Sequence, residues 1–201
     1  MKIQIIKLFI SLIIFSFAAS CSNETDVADK QQKTQNEVAA QTQKNIDLLF
    51  DAALDGDIVI VKKNLETGFD VNQPNQDMQS LLMLAGFNGH TALCEYLIKS
   101  GAHIEARETN GRTALMFAST GPFPKTVELL LQNEADPNSV DHLEKFTPLM
   151  HAAAEGHIEV VKVLLDNGAD PLLKDVDGDT AESFAMQNGH RKVAKLLKEH
   201  K

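Results

Sequence analysis

Residues 147–170 read TPLMHAAAEGHIEVVKVLLDNGAD, and this stretch decides the fold. Thr147 is suited to cap a helix, and Pro148 fits the first helical turn, where no backbone donor is needed. Ala152 and Ala153 are small enough to let neighbouring helices approach closely. Gly156 closes that first helix in a left-handed turn, and Ile158, Val161, Leu164 and Leu165 then fall on one face of a second helix. Gly168 ends the second helix, and an extended finger leads onward.

The unit recurs. Gly56, Gly89, Gly156 and Gly189 are separated by 33, 67 and 33 residues, while Ser80, Thr113, Thr147 and Thr180 step by 33, 34 and 33. Gly68, Gly101, Glu134 and Gly168 step by 33, 33 and 34, so one extra residue lies between Glu134 and Thr147. Landmarks that hold one period mark a repeat array. Each unit closely resembles the ankyrin repeat, and the resemblance covers 45–201 as five repeats (45–77, 78–110, 111–144, 145–177 and 178–201). It implies an all-α solenoid of helix-turn-helix units joined by β-hairpin fingers, with tips at Asn110-Gly111 and Asp177-Gly178. It implies almost nothing about which partner is bound.

The end units differ as solenoid ends should. The first, from Asp47 to Asn72, has no preceding finger, and Glu182 sits where other units carry Leu82, Leu115 and Leu149. The closing helix directs Arg191, Lys192, Lys195, Lys198 and Lys201 toward solvent, so the array is expected to be complete in this chain. Three departures stand out inside it. Met83, Met116 and Met150 replace the first-helix His of the family pattern, so packing is expected to replace a cross-repeat hydrogen bond. Pro122-Phe123-Pro124 stands where other units have Gly-His. Glu134 occupies a glycine position, at about 1–2 kcal/mol if its backbone is left-handed. Repeat three is therefore the expected weak or specialised unit.

Residues 1–21, MKIQIIKLFISLIIFSFAASC, have the layout of a bacterial export signal. Lys2 and Lys7 form a positive start, and Leu8–Ala19 is apolar apart from Ser11 and Ser16. That run is too short to span a bilayer comfortably. Cys21 after Ala18-Ala19-Ser20 resembles a lipobox, which implies cleavage at residue 20 and acylation of Cys21. Ala18 stands where lipoboxes usually carry Leu, Val or Ile, and Ala18 with Ser20 also suits ordinary signal peptidase, leaving Cys21 a free thiol. Two or three acyl chains give stable attachment where one is marginal. Residues 21–44 then read as an anchored Cys and a polar, Gln-rich disordered tether, with a reach of about 25 Å. In a Gram-negative cell, Ser22 after the lipid-bearing Cys resembles the outer-membrane sorting rule, with the domain facing the periplasm.

The chain of 201 residues has 19 Lys+Arg against 28 Asp+Glu, a net charge of -9. Loss of Lys2 and Lys7 would leave 17 against 28, or -11. Such a chain has no footprint for a phosphate backbone, which disfavours a nucleic-acid partner. Hydrophobic residues make up 43%, enough for a core, while aromatics make up 5% with no Trp, so that core must be aliphatic. Catalytic chemistry is not visible. Asp175-Val176-Asp177-Gly178-Asp179 fails as a calcium loop, because Thr180 and Met186 stand where Gly and Glu are needed. His90, His157 and His190 recur at one repeat position and are structural, and His103, His142, His151 and His200 have no metal-ligand spacing. Cys94 aligns with Val61, Val127 and Val161 as a buried, inert thiol. No metal or cofactor is expected, and the chain reads as a non-enzyme and a monomer.

Ankyrin arrays usually bind proteins through finger tips and first-helix ends, which line a concave groove. Carried over by position, the candidates are Gln79, Phe87, Asn88, Asn110, Arg112, Leu143, Glu144, Phe146 and Glu155. Phe87, Leu143 and Phe146 are apolar among polar neighbours and so are hot-spot candidates; the alternative is packing onto adjacent helices. Arg112 is a lone positive finger residue, or else an ion-pair partner of Glu144 or Asp141. Residues 45–190 carry 9 basic against 23 acidic residues, while 191–201 carry 5 against 1. The groove should therefore favour a basic partner. These readings converge on a lipid-anchored adaptor that binds an envelope protein, acting as an inhibitor or immunity protein. The other reading is an accessory factor supporting an envelope enzyme's folding or activity.

Overall fold

The computed structural model describes residues 24–200, in two units that divide between Gln43 and Lys44. The export signal and Cys21 lie outside the described residues. Helix α1 spans Glu24–Asp55, so residues 24–44, expected to be an irregular tether, are helical instead. The reason is local. Residues 24–55 contain no Gly or Pro and are rich in Ala, Gln, Lys, Glu and Leu, which favour helix without an apolar stripe.

Beyond α1 the elements are α2 (Ile58–Glu66), α3 (Leu81–Phe87), α4 (Thr91–Lys99), α5 (Ala114–Ser119) and α6 (Pro124–Gln132). They continue as α7 (Pro148–Glu155), α8 (Ile158–Asp166), α9 (Ala181–Gln187) and α10 (Arg191–Glu199). The first helices of successive units stack as α3 on α5, α5 on α7 and α7 on α9. The second helices form their own layer as α4 on α6, α6 on α8 and α8 on α10. Leu82, Met83, Leu97, Leu115, Met116, Leu130 and Leu164 are buried between the layers, each contributing about 1.5–3 kcal/mol. Stacking needs small residues on the first helices. A Cβ at Gly86 would already sit 3.4 Å from the Ala114 carbonyl oxygen and 3.7 Å from the Ala118 Cβ.

The caps act as the sequence implies, with one addition. Ser80, Thr113, Thr147 and Thr180 each accept from the backbone N–H three residues on, for example Met150 N to Thr147 Oγ1 at 3.1 Å. The methionines do more than pack. The backbone N–H groups of Ser80 and Thr147 donate to the sulfurs of Met83 and Met150, each at 3.4 Å. Sulfur thus takes the reciprocal place in a capping box, where a hydrogen bond had been expected to be lost. His90 and His157 bridge units through Nε2, to the Leu54 carbonyl at 2.9 Å and the Thr120 carbonyl at 3.1 Å. In repeat three the equivalent Phe123 ring lies over Gly89 and Gly121, where an added Cβ would stand 2.2 Å from ring carbons. Glu134 is left-handed (φ 71°), and so are Met78 (62°) and Lys145 (59°), which the sequence reading did not mark.

Among the described residues no strand forms. Each finger is a hairpin-shaped turn whose base is closed by a backbone hydrogen bond, Asn75 N to Gln79 O, Glu108 N to Arg112 O, Asp141 N to Phe146 O and Asp175 N to Asp179 O, and three of them carry an inner turn bond, such as Gly111 N to Glu108 O at 2.8 Å. Neighbouring fingers are joined by single backbone bonds, such as His142 N to Asn110 O at 2.8 Å. With so few residues a finger closes one pair and cannot extend a ladder. The closing pairs place the extra residue within 141–146, in the tip of the third finger, which leaves the helix stacking in register.

Candidate protein-binding groove

Each finger is held from inside by one residue at a fixed position: Asn75, Glu108, Asp141 and Asp175, which step by 33, 33 and 34. Asn75 Oδ1 accepts from Asp77 N and Gln79 N, and Asp175 Oδ1 accepts from Asp177 N and Asp179 N. Glu108 Oε1 accepts from Arg112 N, and Asp141 Oδ1 from Glu144 N. Glu108, Asp141 and Asp175 are buried. Their period was readable in the sequence, but their role was missed because a side chain that satisfies its own turn leaves no pattern of polarity.

A second row of polar side chains stitches the loops between units. Asn72 donates to the Gly101 carbonyl (2.9 Å) and accepts from His103 N (2.7 Å). Asn138 does the same to Gly168 (3.0 Å) and Asp170 (2.8 Å) one period pair later, and Glu105 accepts from Asp136 N at 3.1 Å. These bonds fix the spacing of the fingers and hence of any surface they carry.

On that frame the predicted residues separate into two groups. Phe87 is 43% exposed, with its ring edge-on to Phe117 at 6.1 Å, so it both packs and faces solvent. Leu143, in the lengthened finger, is 63% exposed. Glu144 and Glu155 are exposed acids, and Asn110 is half-buried with its carbonyl accepting from His142 N. These residues are available to a partner. Phe146 is half-buried, and its ring packs against His151 (5.6 Å) and Phe184 (4.9 Å), as the packing alternative describes. Gln79 is tied to Asn75 Nδ2 at 3.0 Å, and the Asn88 amide donates to the Leu54 carbonyl at 2.8 Å. Val176, a finger position, and Met78 are further exposed apolar tip residues.

Arg112 pairs with neither Glu144 nor Asp141. Its Nε donates to buried Glu108 Oε1 at 3.1 Å, and its guanidinium lies 4.5 Å from the centre of the Phe117 ring. Burial pushes the Glu108 carboxyl up, but the amides of Asn110 and Arg112 and the guanidinium outweigh it and hold the carboxyl below its ordinary value. Arg112 therefore locks a finger onto a helix. Beneath the third finger His151 has a buried Nε2 with no hydrogen-bond partner among the described residues. Burial lowers its pKa to about 4; Asp141 pulls it up and Arg112 pushes it down. Cys94 is fully buried, and burial raises its thiol to about 12 against the lowering effect of a backbone hydrogen bond, so it is unreactive. Among the described residues no His, Cys, Asp and Glu cluster has the geometry to hold a metal ion.

The family model for ankyrin repeats (three copies) matches residues 49–141 and 121–201. The chain belongs to the ankyrin-repeat family. Its relatives include the ankyrin repeat protein nuc-2 of Neurospora crassa, 38% identical over 116 residues, which are 58% of this chain and 11% of that protein. The ankyrin repeat and KH domain-containing protein mask-1 of Caenorhabditis elegans is 35% identical over 126 residues, 63% of this chain and 5% of that protein. A putative ankyrin repeat protein, L371 of Acanthamoeba polyphaga mimivirus, is 27% identical over 124 residues, 62% and 16% of the two chains. This chain thus spans a small part of the length of each relative. Their names describe repeat proteins of eukaryotes and a virus, and they lend no support to bacterial export or lipidation. The ankyrin array itself is a module for binding protein, and its relatives' names describe no enzyme.

Proposed function

We propose that this ankyrin array is a non-enzymatic adaptor, held at a bacterial envelope by a lipid on Cys21, that binds a basic protein across its fingers. The observation that carries the binding surface is the exposure of Phe87 and Leu143 on an array that also exposes the acids Asp77, Glu144, Glu155 and Asp177. Exposed apolar anchors supply affinity, and exposed charge supplies steering. Residues 45–190 carry 9 basic against 23 acidic side chains, which favours a basic partner and salt-sensitive association. The export signal and its Cys rest on sequence alone, and no helix among the described residues is long and apolar enough to cross a membrane.

Capture from solubilised envelope with the full chain, alongside Phe87→Ala/Leu143→Ala and Phe146→Ala, tests the surface. A protein held by the wild type and lost by the first variant supports it; equal capture by both overturns it. Fatty-acid labelling that persists in Cys21→Ser overturns the anchor. Once a partner enzyme is in hand, its activity separates the roles: loss on stoichiometric binding makes the chain an inhibitor or immunity protein, and gain makes it an accessory factor.

A further inference from the structure

The turns between first and second helices lie at the far ends of the helices from the fingers. The Pro122-Phe123-Pro124 turn turns its ring inward over Gly89 and Gly121 and leaves Pro122 exposed and Pro124 half-buried on the outside. Beside these prolines is a cavity of ≈ 320 Å³, lined also by Ile158 and Val160. One turn further along is a second cavity of ≈ 310 Å³, lined by Ile158, Val193, Arg191 and Lys192. Gly156 and Ile158 border both, so the two are consecutive notches of one apolar furrow across repeats three to five.

The charge along this edge is opposite to that of the array. Arg191 and Lys192 are exposed and form no ion pair among the described residues, and exposed Lys125 follows Pro124. Glu159, which lines the furrow, is engaged by Lys162 at 2.8 Å, and exposed Glu155 stands at its border before Gly156. In an array whose residues 45–190 are 9 basic against 23 acidic, this edge is where a negatively charged chain is drawn.

We propose that the furrow binds an extended acidic segment of a partner protein, with one apolar side chain in each notch and carboxylates on Arg191 and Lys192. Packed helices lie about 8–10 Å apart. In a polyproline II conformation, with three residues per turn and about 3.1 Å per residue, side chains three apart share a face about 9 Å from one another, so the two anchors belong at i and i+3. No finger residue lines the furrow, although Glu155 of the proposed partner surface precedes Gly156 at its border, and the site stands or falls without that surface. With both occupied, the protein joins a basic partner on its fingers to an acidic one on its turns.

The test is fluorescence anisotropy with the full chain in detergent and a labelled peptide, EELDELEE. Saturable binding is expected, weakened at least tenfold by a KKLKKLKK probe and by moving the two leucines side by side. Arg191→Glu/Lys192→Glu and Ile158→Glu should each weaken it at least tenfold, and Phe87→Ala/Leu143→Ala should leave it unchanged. Ile158 is half-buried, so exposed Pro122→Glu serves as a second probe of the notch, with helix content checked by circular dichroism. Absence of saturable binding, or binding indifferent to the furrow variants, overturns the proposal. So does loss with the Phe87→Ala/Leu143→Ala variant, which places the peptide on the other proposed surface. Salt-sensitive self-association, or binding to phosphatidylglycerol vesicles, that disappears in Arg191→Glu/Lys192→Glu assigns the edge to a second copy or to lipid, and overturns it too.

Discussion

Replacing Arg112 by alanine separates a finger lock from a partner contact. The change removes a hydrogen bond from a guanidinium to a buried carboxylate and uncovers the face of Phe117. A hydrogen bond to a charged group is worth about 1.5–3 kcal/mol, and a cation over a ring adds about 0.5–1 kcal/mol. Glu108 keeps the backbone N–H of residue 112, so the lower part of the sum applies, about 2–3 kcal/mol. For an array of this size that lowers Tm by roughly 5–10 °C. The assay is thermal and urea unfolding followed by circular dichroism, repeated on Glu108→Gln and on the double variant. The double variant should recover most of the loss, because it no longer buries an unpaired charge. The pH dependence has a definite sign. Glu108 is depressed when folded, so the stabilisation is present above the ordinary carboxylate range and disappears as pH falls through the folded value. Wild type and Arg112→Ala should therefore converge in acid. An unchanged Tm for Arg112→Ala, or a double variant no better than the single, would falsify the lock.

Other outcomes follow from the same geometry. Glu134→Gly should stabilise by about 0.5–1 kcal/mol, by relieving a left-handed side chain at some entropic cost, while Glu134→Ala should change little; equal effects in urea titrations would remove backbone strain as the cause. Gly89→Ala forces a Cβ into the Phe123 ring and should cost at least about 2 kcal/mol more than Gly68→Ala, whose Cβ meets nothing, and matched Tm losses would refute this. His151 is held near pKa 4 against an ordinary 6.5, so the unfolded chain binds the extra proton between those values and stability falls as pH drops through that window. The loss approaches about 3 kcal/mol, and urea midpoints of His151→Phe between pH 7 and 4 should lack that component.

What the sequence reveals and what it hides divide along a physical line. The helices, their caps and their stacking follow from a period carried by Gly, Thr and small apolar residues, because each such residue meets a need set by its own backbone. Left-handed Glu134 is legible for the same reason: glycine stands at that position in the other units. Phe146 and Arg112 are harder, because each depends on how a short turn folds back. Glu108 and Arg112 are four residues apart and become partners only when the finger closes, and the ring of Phe146 finds Phe184 only once the next unit has stacked. The helix over residues 24–44 was missed for another reason. Apolar periodicity reports packing, and a helix sustained by propensity alone shows none.

The inward acceptors at Asn75, Glu108, Asp141 and Asp175, the last three buried, set the shape of each finger from below, without help from the tip side chains. Residues 76, 109, 142 and 176 are accordingly Gln, Thr, His and Val on closely similar supports, and one tip has taken in an additional residue without disturbing the helices beneath it. Such tips behave as interchangeable cassettes. New recognition can be written there by exchanging a few exposed residues, at little risk to folding, and the array becomes a ready frame for grafting chosen contacts at fixed intervals.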